Sequence, residues 1–323
     1  MSLRSSFRSL GLGRLAYLLW HAPSGMLRQS YAAGGPIEQW RDARARDEMI
    51  RAAGALVTAQ TPADPRCAEL HFLTGKKFWY QTAFCLHSLQ LHAGSVFRAV
   101  LHDDGSFDNA TIDRLRHQFP AAEIRRRPDN DARVAELLPP GRFPFLHDRR
   151  RHYPNILKLT DAHAGARGWR LVLDSDMLFF RRPGFVLDWL ARPDRPLHMV
   201  DIGDAYGYPL EAMAGLAGAP IPSRVNVGFT GLQSDTIDWE RLEFWCRRLI
   251  ETYGTQYYLE QALIAMLLAG RPCAVAPAED YVVMPDENEC RAPRAVLHHY
   301  VAGSKRWYFR RTWRQVTTPV PSA

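Results

Sequence analysis

Long apolar runs are missing from this sequence. No stretch reaches the roughly 18 consecutive apolar residues that a membrane-spanning helix requires, and the best early candidate, Leu10 to Trp20, is broken by Gly11, Gly13 and Arg14. A basic start ahead of so modest a stretch makes a poor secretory leader, and the Arg-rich sequence after it reads as retained. Cysteine is also scarce. The five that occur, Cys67, Cys85, Cys246, Cys273 and Cys290, are widely spaced and contain no CxxC. That pattern disfavours a disulfide frame or a zinc knuckle and suits a reducing compartment, the cytoplasm. Internal repeats are absent, which removes repeat architectures. The basic clusters, Arg125 to Arg127 and Arg149 to Arg151, are short and separate. Without a continuous groove or an aromatic-basic module they do not point to a specific nucleic acid, and a nonenzymatic nucleic-acid binder is a minor alternative.

What is present is ordinary globular material, 46% hydrophobic and 23% charged, with a formal charge of +7 that favours anionic partners. Residues 1–65 read as a basic N-terminal extension, helical in part, with one helix expected from Ile37 to Leu56. The first strand signal comes at Leu70 to Leu73, followed by helix-length apolar content over Lys76 to His92 and a second strand at Val96 to Leu101. Helices fit Asn109 to Gln118, Asp131 to Leu138 and residues 154–165, and Trp169 to Leu173 is a short apolar strand running into Asp174. Strands alternating with crossover helices predict an α/β sheet that gathers ligands at the carboxyl ends of its strands. In the second half, strands are expected at His198 to Asp201, Asn226 to Thr230, Tyr281 to Met284 and Val296 to His298, and helices at Trp239 to Thr252 and Tyr257 to Leu268.

The most informative phrase is Leu173-Asp174-Ser175-Asp176, set between apolar residues on both sides. Residues i and i+2 on extended backbone point the same way, so both carboxylates can address one ligand. Two such acids repel each other unless a cation balances them, and a hard divalent ion bridging to a diphosphate is the economical solution. Alternatives are a polar loop of solvated acids, or a haloacid-dehalogenase-like phosphohydrolase attacking phosphorus with Asp174 and using Asp176 as acid/base. In that second class Thr or Val is usual where Leu178 stands here.

Further motifs follow downstream: Asn226-Val227-Gly228, Glu260-Gln261, and His299-Tyr300 followed by Gly303, Lys305 and Trp307. In this order, with Phe179, Phe180 and Pro183 after the acidic pair, the chain resembles GT-A glycosyltransferases of family 8 and their bacterial relatives over residues 68–310. The resemblance implies a GT-A nucleotide-sugar transferase fold with a mixed, mainly parallel central sheet and flanking helices, ending before a C-terminal tail at 311–323. It implies Asp174, Asp176 and His299 as ligands of manganese, or of magnesium, with His298 as the adjacent alternative. Lys305 would neutralise the departing diphosphate and Asn226 would meet a sugar, while Gly228 allows close backbone approach. Glu260 would orient sugar hydroxyls and Gln261 would lie near the anomeric carbon. Lys158 would approach the donor phosphate, and Asp103 or Asp104 the base. The implied reaction moves a hexose, from a UDP-linked donor, to a carbohydrate or glycolipid acceptor with anomeric retention. Glu stands where the family has Asp at 260, and Gly303 is shifted by one position.

Between Lys305 and Arg314, Trp307, Tyr308, Phe309 and Trp313 interleave with Arg306, Arg310, Arg311 and Arg314. Such a segment can hold an anionic membrane surface, here the inner face, or pack as a folded tail.

Overall fold

The computed structural model describes residues 35–56 and 68–317, so the Leu10 to Trp20 stretch and Cys67 lie outside the described residues. Two units divide after Ile50. Of the first, the described part is the helix that opens at Gly35, with Arg41 and Glu38 paired on its surface at 2.7 Å.

In the second unit the strands are β1 (Glu69–Thr74), β2 (Arg98–Asp103), β3 (Glu123–Arg125), β4 (Trp169–Leu173), β5 (Met177–Phe179), β6 (Leu197–Val200), β7 (Val225–Gln233), β8 (Ala274–Val275), β9 (Tyr281–Val283) and β10 (Leu297–His299). Seven of them form one sheet in the order β3-β2-β1-β4-β7-β6-β8. The β1, β2, β3 and β4 neighbours pair in parallel, as do β6 and β8, while β7 runs antiparallel to both β4 and β6. The sheet is therefore mixed and mainly parallel, with helices on it, as expected. Parallel neighbours need crossover helices, and Trp79–Ala93 and Asn109–Gln118 supply the first two.

Local chemistry explains the boundaries. Asp108 caps the helix Asn109–Gln118 through the Thr111 amide at 2.9 Å, and Asp238 caps Trp239–Tyr253 through Arg241 at 3.0 Å. Gly94 ends the helix before it with φ of 62°, a left-handed conformation that suits glycine. Residues 154–165, expected as one helix, split into a short 3-10 turn at Pro154–Ile156 and a helix at Leu157–His163. The proline at the start favours the tight turn.

The helix Leu259–Leu268 is buried on every side. Periodicity alone lets Glu260 and Gln261 form a polar, solvated face of this helix, but the two side chains are 3% and 6% exposed and lie on no such face. The aromatic tail also turns inward in part. Tyr308 and Trp313 are buried, Trp313 packing on Phe84 at 5.3 Å between ring centres, which leaves Trp307 and Phe309 half-buried.

A second, three-stranded sheet, β5-β10-β9, stands beside the first. β5 follows the acidic pair directly, and β10 pairs antiparallel with it so that His299 lies opposite Met177. The Tyr300 amide donates to the Asp176 carbonyl at 2.8 Å, continuing that ladder. Two segments far apart in sequence are thereby brought to one place.

Candidate metal centre

Between β4 and β5 the chain bends at Ser175 and Asp176 and does not continue as the extended backbone expected from the i, i+2 argument. The carboxylates converge all the same, because the bend is clamped at both ends. The Asp174 amide donates to the Gly228 carbonyl of β7 at 2.6 Å, and β10 holds the other side. Ser175 points away and meets the Thr82 hydroxyl at 2.7 Å.

The Oδ2 of Asp174 and the Oδ1 of Asp176 lie 3.7 and 3.4 Å from His299 Nε2. One ligand atom from each of the three residues falls within 4.8 Å of the others. The remaining carboxylate oxygens are held from outside: Lys158 Nζ is 2.9 Å from Asp174 Oδ1, and Lys305 Nζ is 3.0 Å from Asp176 Oδ2. One imidazole nitrogen and two carboxylate oxygens, with their free lone pairs turned inward, fit a divalent ion of the manganese or magnesium class. Strand alternation sends His298 the other way, to Glu289 at 3.0 Å and the Tyr300 hydroxyl at 2.9 Å, so it does not join the cluster.

Charge balance shapes the ionisation of these groups. Burial resists the charge on Asp176, but the hydrogen bond from His299 and the ammonium of Lys305 prevail and hold its carboxyl below the usual range. Burial disfavours a proton on His299, yet Asp176 and Asp174 outweigh it and push the imidazole above its ordinary value. Lys158 bridges Asp174 to Glu260 Oε2 at 3.3 Å. Its burial opposes charge, and the two carboxylates overcome that and raise its value. Burial raises Glu260 to about 7, against the pull of Lys158 and with the help of Asp174.

Gly228 has a spatial reason. A Cβ there would lie 2.5 Å from His299 Nδ1 and 2.8 Å from Asn226 Oδ1, so only glycine lets the imidazole seat behind the carboxylates. Gly228→Ala is expected to cost about 1–3 kcal/mol of stability by overpacking and to weaken any divalent-cation binding about tenfold or more by displacing His299, checked by urea unfolding and calorimetric titration. Asn226 turns its amide toward His299 and Asp201, and Gln261 meets the same Asp201 at 3.2 Å.

Two cavities meet at the cluster, one of about 370 Å³ and one of about 200 Å³. Asn155, Lys158, Asp174, Asp176, Tyr257 and Lys305 line both. The smaller lies at the carboxyl ends of β1 and β2, with Thr74 and Asp104 in its wall; the larger contains Glu260, Gln261, Asn226 and His299. Asp103 does not line the smaller cavity: its carboxylate accepts from the amides of Gly105, Phe107 and Arg127 and so shapes the loop after β2.

Asp201, Tyr153, Asn155 and Tyr257 also line the larger cavity but were not singled out by sequence. Asp201 had a signal, an apolar strand ending in an acid, as at Asp174. Tyr153 had none: its hydroxyl accepts from the Glu260 amide at 3.3 Å and donates to the Tyr257 carbonyl at 2.5 Å, contacts that only the fold creates.

No protein-family model matches the sequence, and no curated protein matches it. Solved structures do. Mouse xyloside xylosyltransferase 1 superposes with a TM-score of 0.50 at 13% identity, over 74% of this chain and 99% of that one. The galactosyltransferase LgtC, solved with donor and acceptor sugar analogues, gives 0.47 at 17% identity over 78% and 98%. The bifunctional glycosyltransferase WbbM gives 0.48 at 12% identity over 81% and 51%. The protein has the GT-A glycosyltransferase fold.

Proposed function

We propose that this protein is a metal-dependent glycosyltransferase that moves a hexose from a nucleotide-diphosphate sugar, UDP-linked, to a carbohydrate or glycolipid acceptor. The observation that carries the reading is the Asp174, Asp176 and His299 cluster standing between two cavities that share Lys158 and Lys305. A diphosphate at that junction would place its nucleoside in the smaller cavity and its sugar in the larger. Asp174, Asp176 and His299 would hold the ion, manganese before magnesium, and a bound ion would stabilise charge on the departing diphosphate. Lys305, half-exposed and paired with Oδ2 of Asp176, can turn to the same phosphate oxygens.

On the sugar side, Gln261 and Glu260 face the larger cavity from one buried turn of helix. Glu260 would accept from donor hydroxyls and Gln261 would lie by the anomeric carbon. Asp174 and Asp176 are committed to the cation, and Glu260 to Lys158. Retention is what the family resemblance implies, and with no spare carboxylate pair required as nucleophile and acid/base, front-face transfer is the proposed route to it rather than double displacement. The GT-A fold gives the phosphohydrolase alternative no support of its own.

The test is a calorimetric titration with a panel of nucleotide sugars, with and without Mn2+, followed by anomer-resolved product NMR. Mn2+-dependent binding of a UDP-hexose and a product of unchanged anomeric configuration are expected. Binding of no nucleotide sugar would overturn the reading, and an inverted product would overturn retention.

A further inference from the structure

His299 must present a bare nitrogen to a cation, and an imidazole has two nitrogens to choose from. The neighbouring amide makes the choice. Asn226 Oδ1 accepts from the Gly228 amide at 2.8 Å, a group that can only donate, and Asn226 Nδ2 donates to Asp201 Oδ2 at 2.9 Å, a group that in its carboxylate form can only accept. Turning the amide over would set donor against donor and acceptor against acceptor, so its orientation is determined from both ends. That same Oδ1 lies 3.1 Å from His299 Nδ1. An amide oxygen accepts only, so the hydrogen between them sits on Nδ1.

We propose that Asn226 and Asp201 are positioning residues of the cation site, holding His299 with its proton on Nδ1 and its Nε2 lone pair aimed between Asp174 and Asp176. Asp201 is itself fixed. Its amide donates to the Arg224 carbonyl at 2.7 Å, and its Oδ1 accepts from the Ile202 amide at 2.7 Å. This leaves Oδ2 for two side-chain amides, Asn226 at 2.9 Å and Gln261 at 3.2 Å. One carboxylate oxygen thus ties the imidazole to the helix that carries Gln261, and all four side chains are buried or nearly so, at 9% exposure or less. Asn226 then acts on the sugar side through the imidazole, since its amide oxygen and one amide hydrogen are already engaged within the protein.

The inference rests on the proposed cation site, and its test needs no sugar donor. Calorimetric titration of the full chain with Mn2+ alone should show Asn226→Leu, close to isosteric, binding about 10–100-fold more weakly, the usual consequence of losing an outer partner of a ligating histidine. Asp201→Asn keeps an acceptor for the Asn226 amide and should lose less than Asn226→Leu. Nitrogen-15 NMR of labelled histidine, recorded with diamagnetic Mg2+ bound, should show the His299 proton on Nδ1 in the parent. Thermal unfolding of the metal-free variants separates loss of fold from loss of site. Parental Mn2+ affinity in a folded Asn226→Leu protein overturns the proposal, as does a parent that carries the proton on Nε2 or holds no Mn2+. The parent spectrum keeps the proposal open to refutation even where the variant fails to fold. A parent that binds Mn2+ as described but transfers no sugar would sink the glycosyltransferase reading and leave this one standing.

Discussion

Asp176→Asn should abolish most Mn2+-dependent donor binding while leaving the protein folded. The substitution removes one of the two carboxylates proposed to hold the ion with almost no change of volume, and the loss expected in Mn2+ affinity is at least about 100-fold, beyond what an outer partner contributes. The backbone of Asp176 keeps its place, because the ladder from Tyr300 engages the main-chain carbonyl and not the side chain. Lys305 loses its ion pair but reaches solvent, its side chain being 38% exposed. Titration with Mn2+ and a UDP-hexose, paired with a thermal melt, reads both quantities. Unchanged Mn2+-dependent affinity in a folded variant would remove Asp176 from the ligand set. Transfer rates should fall in parallel, since the diphosphate would depart without its counter-charge.

The largest loss of stability is expected at Lys158. Its side chain is 7% exposed and lies between Asp174 and Glu260. Lys158→Met keeps the aliphatic stem and deletes the ammonium, leaving the buried Glu260 and the half-buried Asp174 without their counter-charge. Breaking such a pair from one side costs about 3–5 kcal/mol. Glu260 sets the pH dependence. Its folded value is raised from 4.5 to about 7, so the folded state holds the proton more tightly than the unfolded chain, and its contribution to stability declines as pH rises between those values. Without Lys158 the opposing attraction is gone, the folded value climbs further, and the decline continues above neutral. The variant's deficit should therefore be larger at about pH 8 than at about pH 6, and adding Glu260→Gln should recover part of it. Urea unfolding of both variants at the two pH values decides the matter. A Lys158→Met protein as stable as its parent at both would show that the two acids tolerate each other unaided.

These two positions differ in how they could be found. Asp176 was legible because its signal is local: an apolar strand running into two acids one residue apart, a pattern for which a bridging cation is the economical physical solution. Lys158 was visible only as a basic residue on a helix upstream, facing a phosphate by resemblance. Its place between Asp174 and Glu260 depends on the packing of Leu157–His163 against the sheet and on the helix Leu259–Leu268, which no local pattern encodes. Glu260 and Gln261 were found as a pair, yet periodicity left them free to be a solvated face, and burial of the whole helix decides otherwise.

The sequence by itself determined the class of fold, because alternating apolar strands and amphipathic helices admit few packings, and it determined the acidic pair at the end of β4. It also brought His299 forward, with His298 as its neighbour. Tertiary structure decided between them: pairing of β10 with β5 turns His299 toward the acids and His298 toward Glu289. It also decided that β7 runs antiparallel beside β4, which sets the Gly228 carbonyl against the Asp174 amide, and that His299 packs over Gly228, which gives that glycine its purpose. Tyr153 entered the site only through the fold. The physical reason is common to all of these. Periodicity and turn chemistry act over a few residues, whereas strand order, register and the meeting of side chains from separate elements depend on how the whole core closes.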